Sequence, residues 1–164
     1  MTRRTPIEAL REDHKLEGFH SGEPSLDEWL VRRAWANQIA GFSRTYVTTD
    51  GDRVIAYHSV SSFAILRADA PRRAGRQGPR QIPAILLGRI AVETDAHGEG
   101  LGVALLRHAM ELTIAASETI GVRLLVVNSL HDRAAGFYRR FGFEPSPTNP
   151  LDLMITVNDT VASM

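Results

Sequence analysis

Apolar residues recur at Leu26, Trp29, Leu30 and Ala34, the i, i+3, i+4, i+8 spacing of one helical face, while Asp27, Arg32 and Arg33 fall on the other side. The helix is predicted to open at Ser25, whose spacing to Glu28 is that of a capping box, and to end near Gly41. Two β-rich stretches follow, Thr45–Thr49 and Val54–Ser61, joined through Asp50-Gly51, a dipeptide favoured in hairpin turns, so an antiparallel pair is expected. Ala84–Val92 is almost continuously apolar, as in a strand covered on both faces. A glycine-rich turn over 97–102 then leads to a helix over about Val103–Ser117, with Leu101, Leu105, Ala109 and Leu112 on one face. Gly121 precedes a second buried strand, Val122–Val127. Strand, glycine turn, helix and strand make a βαβ unit, so these two strands should be parallel. A short helix over Asp132–Phe141 and a last strand over Leu151–Val157 finish the chain, giving an α/β fold.

The pattern breaks over residues 66–83, where Pro71, Pro79, Pro83, Gly75 and Gly78 accompany five arginines, Arg67, Arg72, Arg73, Arg76 and Arg80, against one acid, Asp69. An exposed insertion with room for one helical turn is expected, and a connection this long is commonly functional or disordered. Over the 164 residues, 19 basic side chains balance 19 acidic ones, which excludes a uniformly basic coat for nucleic acid but not a local basic face. Eighteen of the basic residues are arginine, the better residue for bidentate phosphate contacts, and Lys15 is the one lysine. The length suits one domain over 1–164 that needs no disulfide or metal, and the absence of cysteine removes thiolate, zinc-ribbon and iron–sulfur chemistry. Met1–Pro6 is not followed by an apolar leader stretch, and no apolar run nears the roughly eighteen residues of a membrane span, so a cytoplasmic protein without membrane contact is expected. His14, His58 and His108 read as surface or packing residues.

The turn His97-Gly98-Glu99-Gly100-Leu101-Gly102 lies between a buried strand and a helix N-terminus, where glycines allow several N–H groups to converge and the helix dipole adds positive potential. An anion site follows. A Walker loop is excluded because no Gly-Lys-Ser/Thr is present. A dinucleotide fold wants a third glycine where this chain has Leu105, and an acid at the end of the next strand where it has Asn128.

His97-x-x-Gly100-x-Gly102 after Gly88–Val92, with Ala134-x-x-Phe137-Tyr138-x-x-x-Gly142-Phe143 downstream, resembles the acetyl-CoA-binding core of the GNAT N-acetyltransferases. That family's usual loop is Q/R-x-x-G-x-G/A, so His97 departs from it at the first position while the glycines keep the backbone cradle. Phe19-His20-Ser21-Gly22, Leu26–Leu30, Ser43–Val47, Ile82-Pro83, Leu86–Val92 and Phe141–Ser146 further resemble the TacT/AtaT branch of type II toxins, with Ser21 where members often carry cysteine. The resemblance implies a mixed, mostly antiparallel sheet with helices on both faces and a splayed parallel pair that holds acetyl-CoA. It implies that Ile90, Ala91 and Val92 offer backbone groups to the pantetheine arm, that His97, Gly98, Glu99, Gly100, Leu101 and Gly102 hold the pyrophosphate, and that Asn128 and Phe137 flank the arm. Tyr138 aligns with the catalytic tyrosine. Its phenol, with an ordinary pKa of about 10, would stabilise a leaving thiolate of about 8.5 by hydrogen bonding.

Members of this branch acetylate the α-amine of aminoacyl-tRNA, block translation and are neutralised by a ribbon-helix-helix antitoxin; a homodimer is also implied. An α-amine of pKa about 8 needs no strong base, unlike a lysine ε-amine near 10.4. For the tRNA, Arg72, Arg73, Arg76 and Arg80 are the candidate phosphate contacts, with Arg32 and Arg33 as a second patch and no metal required. Acetylation of a small amine or a protein N-terminus, and a non-catalytic acyl-CoA-binding or DNA-regulatory module, are the alternatives.

Overall fold

The computed structural model describes residues 4–164; the expectation drawn from Met1–Pro6 falls in part on residues 1–3, outside the described residues. The stripe on the first helix is buried as its spacing requires. Leu30 and Ala34 are fully enclosed with Val47, Val54, Tyr57 and Ala91, and Leu26 and Trp29 pack on the same cluster. The helix start differs from expectation: α1 runs Pro24–Arg32 with Glu23 as N-cap and no side-chain cap, so Ser25 and Glu28 form no capping box. Pro24 takes the first helical position, which its preset φ and missing N–H suit, and so fixes the N-cap two residues before Ser25. Nor does one helix reach Gly41. Arg33 leaves helical geometry (φ −121°, ψ −31°), and a second helix, α2, spans Ala34–Ala40 and ends on Gly41 at φ 82°.

β2 (Arg44–Asp50) and β3 (Arg53–Leu66) form the predicted antiparallel hairpin, with β1 (Glu8–Ala9) added to β2. After α3 (Arg72–Gly75), β4 (Gln81–Val92) pairs in parallel with β5 (Leu124–Asn128), in register from Ala84–Leu124 to Leu87–Val127. Between them runs α4 (Leu101–Ser117). α5 (Asp132–Arg139), β6 (Glu144–Pro145) and β7 (Asp152–Thr156) follow, and β7 is antiparallel to both β5 and β6. The sheet order is β1-β2-β3-β4-β5-β7-β6, the mixed, mostly antiparallel sheet expected. The chain does not end on that last strand. α6 (Val157–Ser163) continues directly from it, capped by the Thr156 hydroxyl, which accepts from the Asp159 amide at 3.1 Å.

Two compact units are present, residues 1–61 with 88–109, and residues 62–87 with 110–164. The first is centred on the Leu30 cluster. The second gathers Ile65, Ala70, Ala74, Ile82, Ala84, Leu124, Val126 and Met154. Residues 66–83 are not a disordered insertion: the Arg67 amide donates to the Arg80 carbonyl at 2.8 Å, and Arg67 Nη1 and Arg123 Nε donate to the Gly78 and Ala74 carbonyls at 2.7 and 3.1 Å.

The three histidines are packing groups. His14 is buried, accepting from the Arg11 amide and meeting Glu8, both at 2.9 Å. His58, fully buried on β3, has Nε2 2.9 Å from Nδ1 of His108, and Tyr46 lies against both rings. Its Nδ1 is sealed from solvent without a partner, which favours the tautomer with the proton on Nε2, since an orphaned lone pair is tolerated better than an orphaned N–H. Burial, and secondly the neighbouring His108, push the His58 pKa down to about 3. The unfolded chain takes up a proton on this residue below about pH 6.5. Stability from His58 is therefore complete above that value and is lost as pH falls toward 3, by at most ~1.4 kcal/mol per pH unit for one proton. Thermal unfolding between pH 7.5 and 4.5 should show a steeper loss of Tm in the wild type than in His58→Gln; parallel curves would contradict this.

Candidate active site

Val92 ends β4, and Glu93, immediately after it, is gripped by Arg53 from the start of β3. The guanidinium nitrogens lie 2.5 and 2.9 Å from the two carboxylate oxygens, and the Glu93 side chain is only 6% exposed. The Glu93 amide donates to the Ile55 carbonyl at 2.8 Å and the Thr94 amide to that of His20 at 2.9 Å. His20 opens the loop whose Ser21 hydroxyl donates to Asp27 at 2.6 Å, the hydrogen bond that accounts for a hydroxyl at that position. The chain is thus fixed on both sides before it enters the glycine turn.

His97–Gly100 is exposed, with Gly98 and Gly100 at φ 83° and 80°. No atom lies within 4 Å of a Cβ placed on either, so the backbone conformation, not crowding, demands glycine. α4 begins at Leu101, two residues before the predicted Val103, so Leu101 and Gly102 lie in its first turn, where unpaired N–H groups and the positive end of the dipole attract an anion. Both carboxylate oxygens of Glu99 meet Arg4 at 3.0 Å, and Arg4 also reaches Asp50 at 3.4 Å, which offsets the charge of the one acid in the turn. His97 Nε2 stands 2.7 Å from the Val92 carbonyl. A carbonyl only accepts, so Nε2 carries a proton and donates it there, and this nitrogen is not free for a phosphate. Ile90, Ala91 and Val92 lie past the last registered pair of the parallel ladder, and the Val92 carbonyl is already engaged by His97.

In the other unit, Asn128 is exposed at the end of β5, and α5 is capped by His131 Nδ1, which accepts from the Ala134 amide at 3.2 Å. This helix carries Phe137 and Tyr138. The Tyr138 ring is buried against Phe137 and Phe143, with centroids 5.3 and 5.6 Å away. Burial raises the phenol pKa above its ordinary value, so it stays protonated at neutral pH, and the hydroxyl makes no hydrogen bond among the described residues.

The arginines separate into two kinds. Arg72, Arg76 and Arg80, with Arg67, line a cavity of about 970 Å³. Arg73 is instead tied to Glu144, at 3.2 Å, and to Asp159, so the expected cluster is not one continuous patch: its own chain neutralises one member. On α1, Arg32 is 3.7 Å from Glu28, and Arg33 is exposed at the junction with α2.

Residues 29–145 match the acetyltransferase (GNAT) domain family. The chain belongs to that family. It is 46% identical over 144 residues to a tRNA-acetylating toxin of Mycobacterium tuberculosis (strain ATCC 25618 / H37Rv), covering 88% of this chain and 87% of the relative. AtaT in complex with acetyl-methionyl-tRNAfMet is 27% identical with a TM-score of 0.89, over 98% of each chain. A Tyr→Phe mutant of AtaT bound to the C-terminus of the antitoxin AtaR and acetyl-CoA is 25% identical with a TM-score of 0.82, over 97% of this chain and 96% of that one. In this acetyltransferase, the Arg53–Glu93 pair that fixes the chain before the glycine turn was not legible in the sequence, because nothing local to Glu93 signals a partner 40 residues away.

The His97 geometry makes a specific demand on acetyl-CoA affinity. An arginine there restores a donor and adds a positive charge, so His97→Arg should tighten acetyl-CoA binding roughly 3- to 10-fold by calorimetry. An unchanged Kd would show that position 97 does not face the pyrophosphate.

Proposed function

We propose that this acetyltransferase is the toxin of a type II toxin–antitoxin system and moves the acetyl group of acetyl-CoA onto the α-amine of aminoacyl-tRNA. The 46% identity across nearly the whole length of a tRNA-acetylating toxin carries the reading. Arg72, Arg76 and Arg80, which make no ion pair among the described residues, line one cavity and supply a surface suited to phosphates, and the positive-φ glycines followed at once by a helix N-terminus suit a pyrophosphate.

Acetyl-CoA, when bound, supplies an acyl thioester open to attack by a neutral amine. The amides of Gly98–Gly102 bind its pyrophosphate, and backbone groups of Ile90 and Ala91 align the arm, with the Val92 amide available although its carbonyl is engaged. Asn128 and Phe137 serve as arm contacts in this reading. As the amine forms the new C–N bond and the C–S bond breaks, the Tyr138 hydroxyl donates to the departing sulfur while the amine sheds its proton to water. The raised phenol pKa makes complete proton transfer more uphill and leaves Tyr138 chiefly as a hydrogen-bond donor during C–S cleavage. No protein base is needed for an amine of pKa about 8.

Arg72, Arg76 and Arg80 take tRNA phosphates, with Arg32 and Arg33 as a second contact, while Arg73 holds α6 and β6 in place. A ribbon-helix-helix antitoxin with an acidic C-terminal segment would compete for the same arginines, and the toxin acts as a cytoplasmic homodimer organised as one catalytic domain. Among the described residues no helix is long and apolar enough to cross a membrane.

Induced alone, the protein should arrest translation and growth. Tyr138→Phe should still bind acetyl-CoA but lose about 10²–10⁴-fold in kcat and be tolerated by the host; undiminished toxicity would remove Tyr138 from the mechanism. Changing Arg72, Arg76 and Arg80 together to Gln should lower the log–log salt slope of tRNA binding by roughly 2–3. A slope unaltered by the triple change would place the tRNA elsewhere.

A further inference from the structure

Arg89 and Ala91, two residues apart on β4, share the face that meets α1, where Ala91 joins the buried cluster and Arg89 lies over Trp29 with its guanidinium carbon 4.1 Å from the ring centroid. Trp29 is stacked on Tyr57 (6.0 Å, 12°), and the Tyr57 hydroxyl donates to the Leu26 carbonyl at 2.7 Å. The guanidinium therefore lies over an aromatic platform that cannot shift without disturbing α1. It is partly buried, yet it makes no ion pair and no hydrogen bond among the described residues. The acid of this neighbourhood, Asp27, is engaged by the Ser21 amide and hydroxyl. An indole face offsets only part of the cost of withdrawing a cation from water, so the arrangement is complete only with an anion on the guanidinium's edge.

We propose that Arg89 binds the phosphodiester joining the last two nucleotides of the aminoacyl-tRNA acceptor end, and through it positions the aminoacyl ester for transfer. The assignment rests on the aminoacyl-tRNA reading given above. A planar guanidinium held by one face presents its N–H edge to two phosphate oxygens. Arg32, the last residue of α1, and Arg33, its C-cap, are exposed three and four residues after Trp29. The other phosphate-bearing ligand is accommodated at 97–102, beginning past Val92, which is itself three residues or about 10 Å along the strand from Arg89.

Two esters separate these sources: a 3′-aminoacyl-adenosine, which has no phosphodiester, and a 3′-aminoacyl-cytidylyl-adenosine, which has one. The wild type should prefer the second by roughly 10- to 100-fold in kcat/KM, the worth of one charge-assisted phosphate contact. In Arg89→Gln that preference should fall to within about 3-fold, and Arg89→Lys, which keeps the charge but not the fork, should retain part of it. Equal losses on both esters, in whichever variant folds, would make Arg89 a support for Trp29 and overturn the assignment. A matching loss of acetyl-CoA affinity would overturn it too, by giving the residue to the other ligand. If the wild type acetylates other amines but neither ester nor charged tRNA, the aminoacyl-tRNA reading falls first and this assignment with it.

Discussion

The Arg53–Glu93 ion pair is the constraint on which the catalytic frame depends. Gly88–Val92 run past the parallel ladder, and the turn that follows is exposed and rich in glycine, the residue that loses most conformational freedom on ordering. Such a segment holds one geometry only if its ends are pinned. Glu93 does this with a carboxylate only 6% exposed, both of whose oxygens face one guanidinium. Removing one partner of such a pair would cost about 3–5 kcal/mol if both were buried, and less here because Arg53 is 44% exposed. His97 on the Val92 carbonyl and Arg4 on Glu99 then hold what the ion pair leaves free.

Long periodic elements were legible because burial enforces periodicity: the Leu26–Ala34 stripe, the hairpin at Asp50-Gly51 and the parallel pair all follow from side-chain spacing. Helix ends were less legible, since Pro24 overrode the Ser25–Glu28 capping pattern and Arg33 broke one helix into two. β1 and β6, of two residues each, are too short to carry a period, and α6 had only its Thr156 cap as a signal.

In the site, the glycines could be read locally because positive φ is a local property. Tyr138 could be picked out only through resemblance, as an aromatic in a buried cluster looks the same whether it packs or reacts. Ion pairing was the least legible feature. Arg53 finds Glu93 40 residues away, and Arg73 finds Glu144 and Asp159 at separations of 71 and 86, so no window of sequence distinguishes Arg73 from Arg72 or Arg76. The balance of 19 basic and 19 acidic residues thus conceals an uneven distribution: some arginines spend their charge inside the fold, while those lining the cavity have no acidic partner among the described residues.

The central claim is that the accepting amine belongs to an amino acid esterified to tRNA. Incubation with labelled acetyl-CoA and tRNA, charged or deacylated, followed by nuclease digestion and mass spectrometry, tests it directly. N-acetyl-aminoacyl-adenosine should be released from charged tRNA, with no label on the deacylated form. Label on deacylated tRNA, or on polyamines or peptides with none on the aminoacyl ester, would contradict the account.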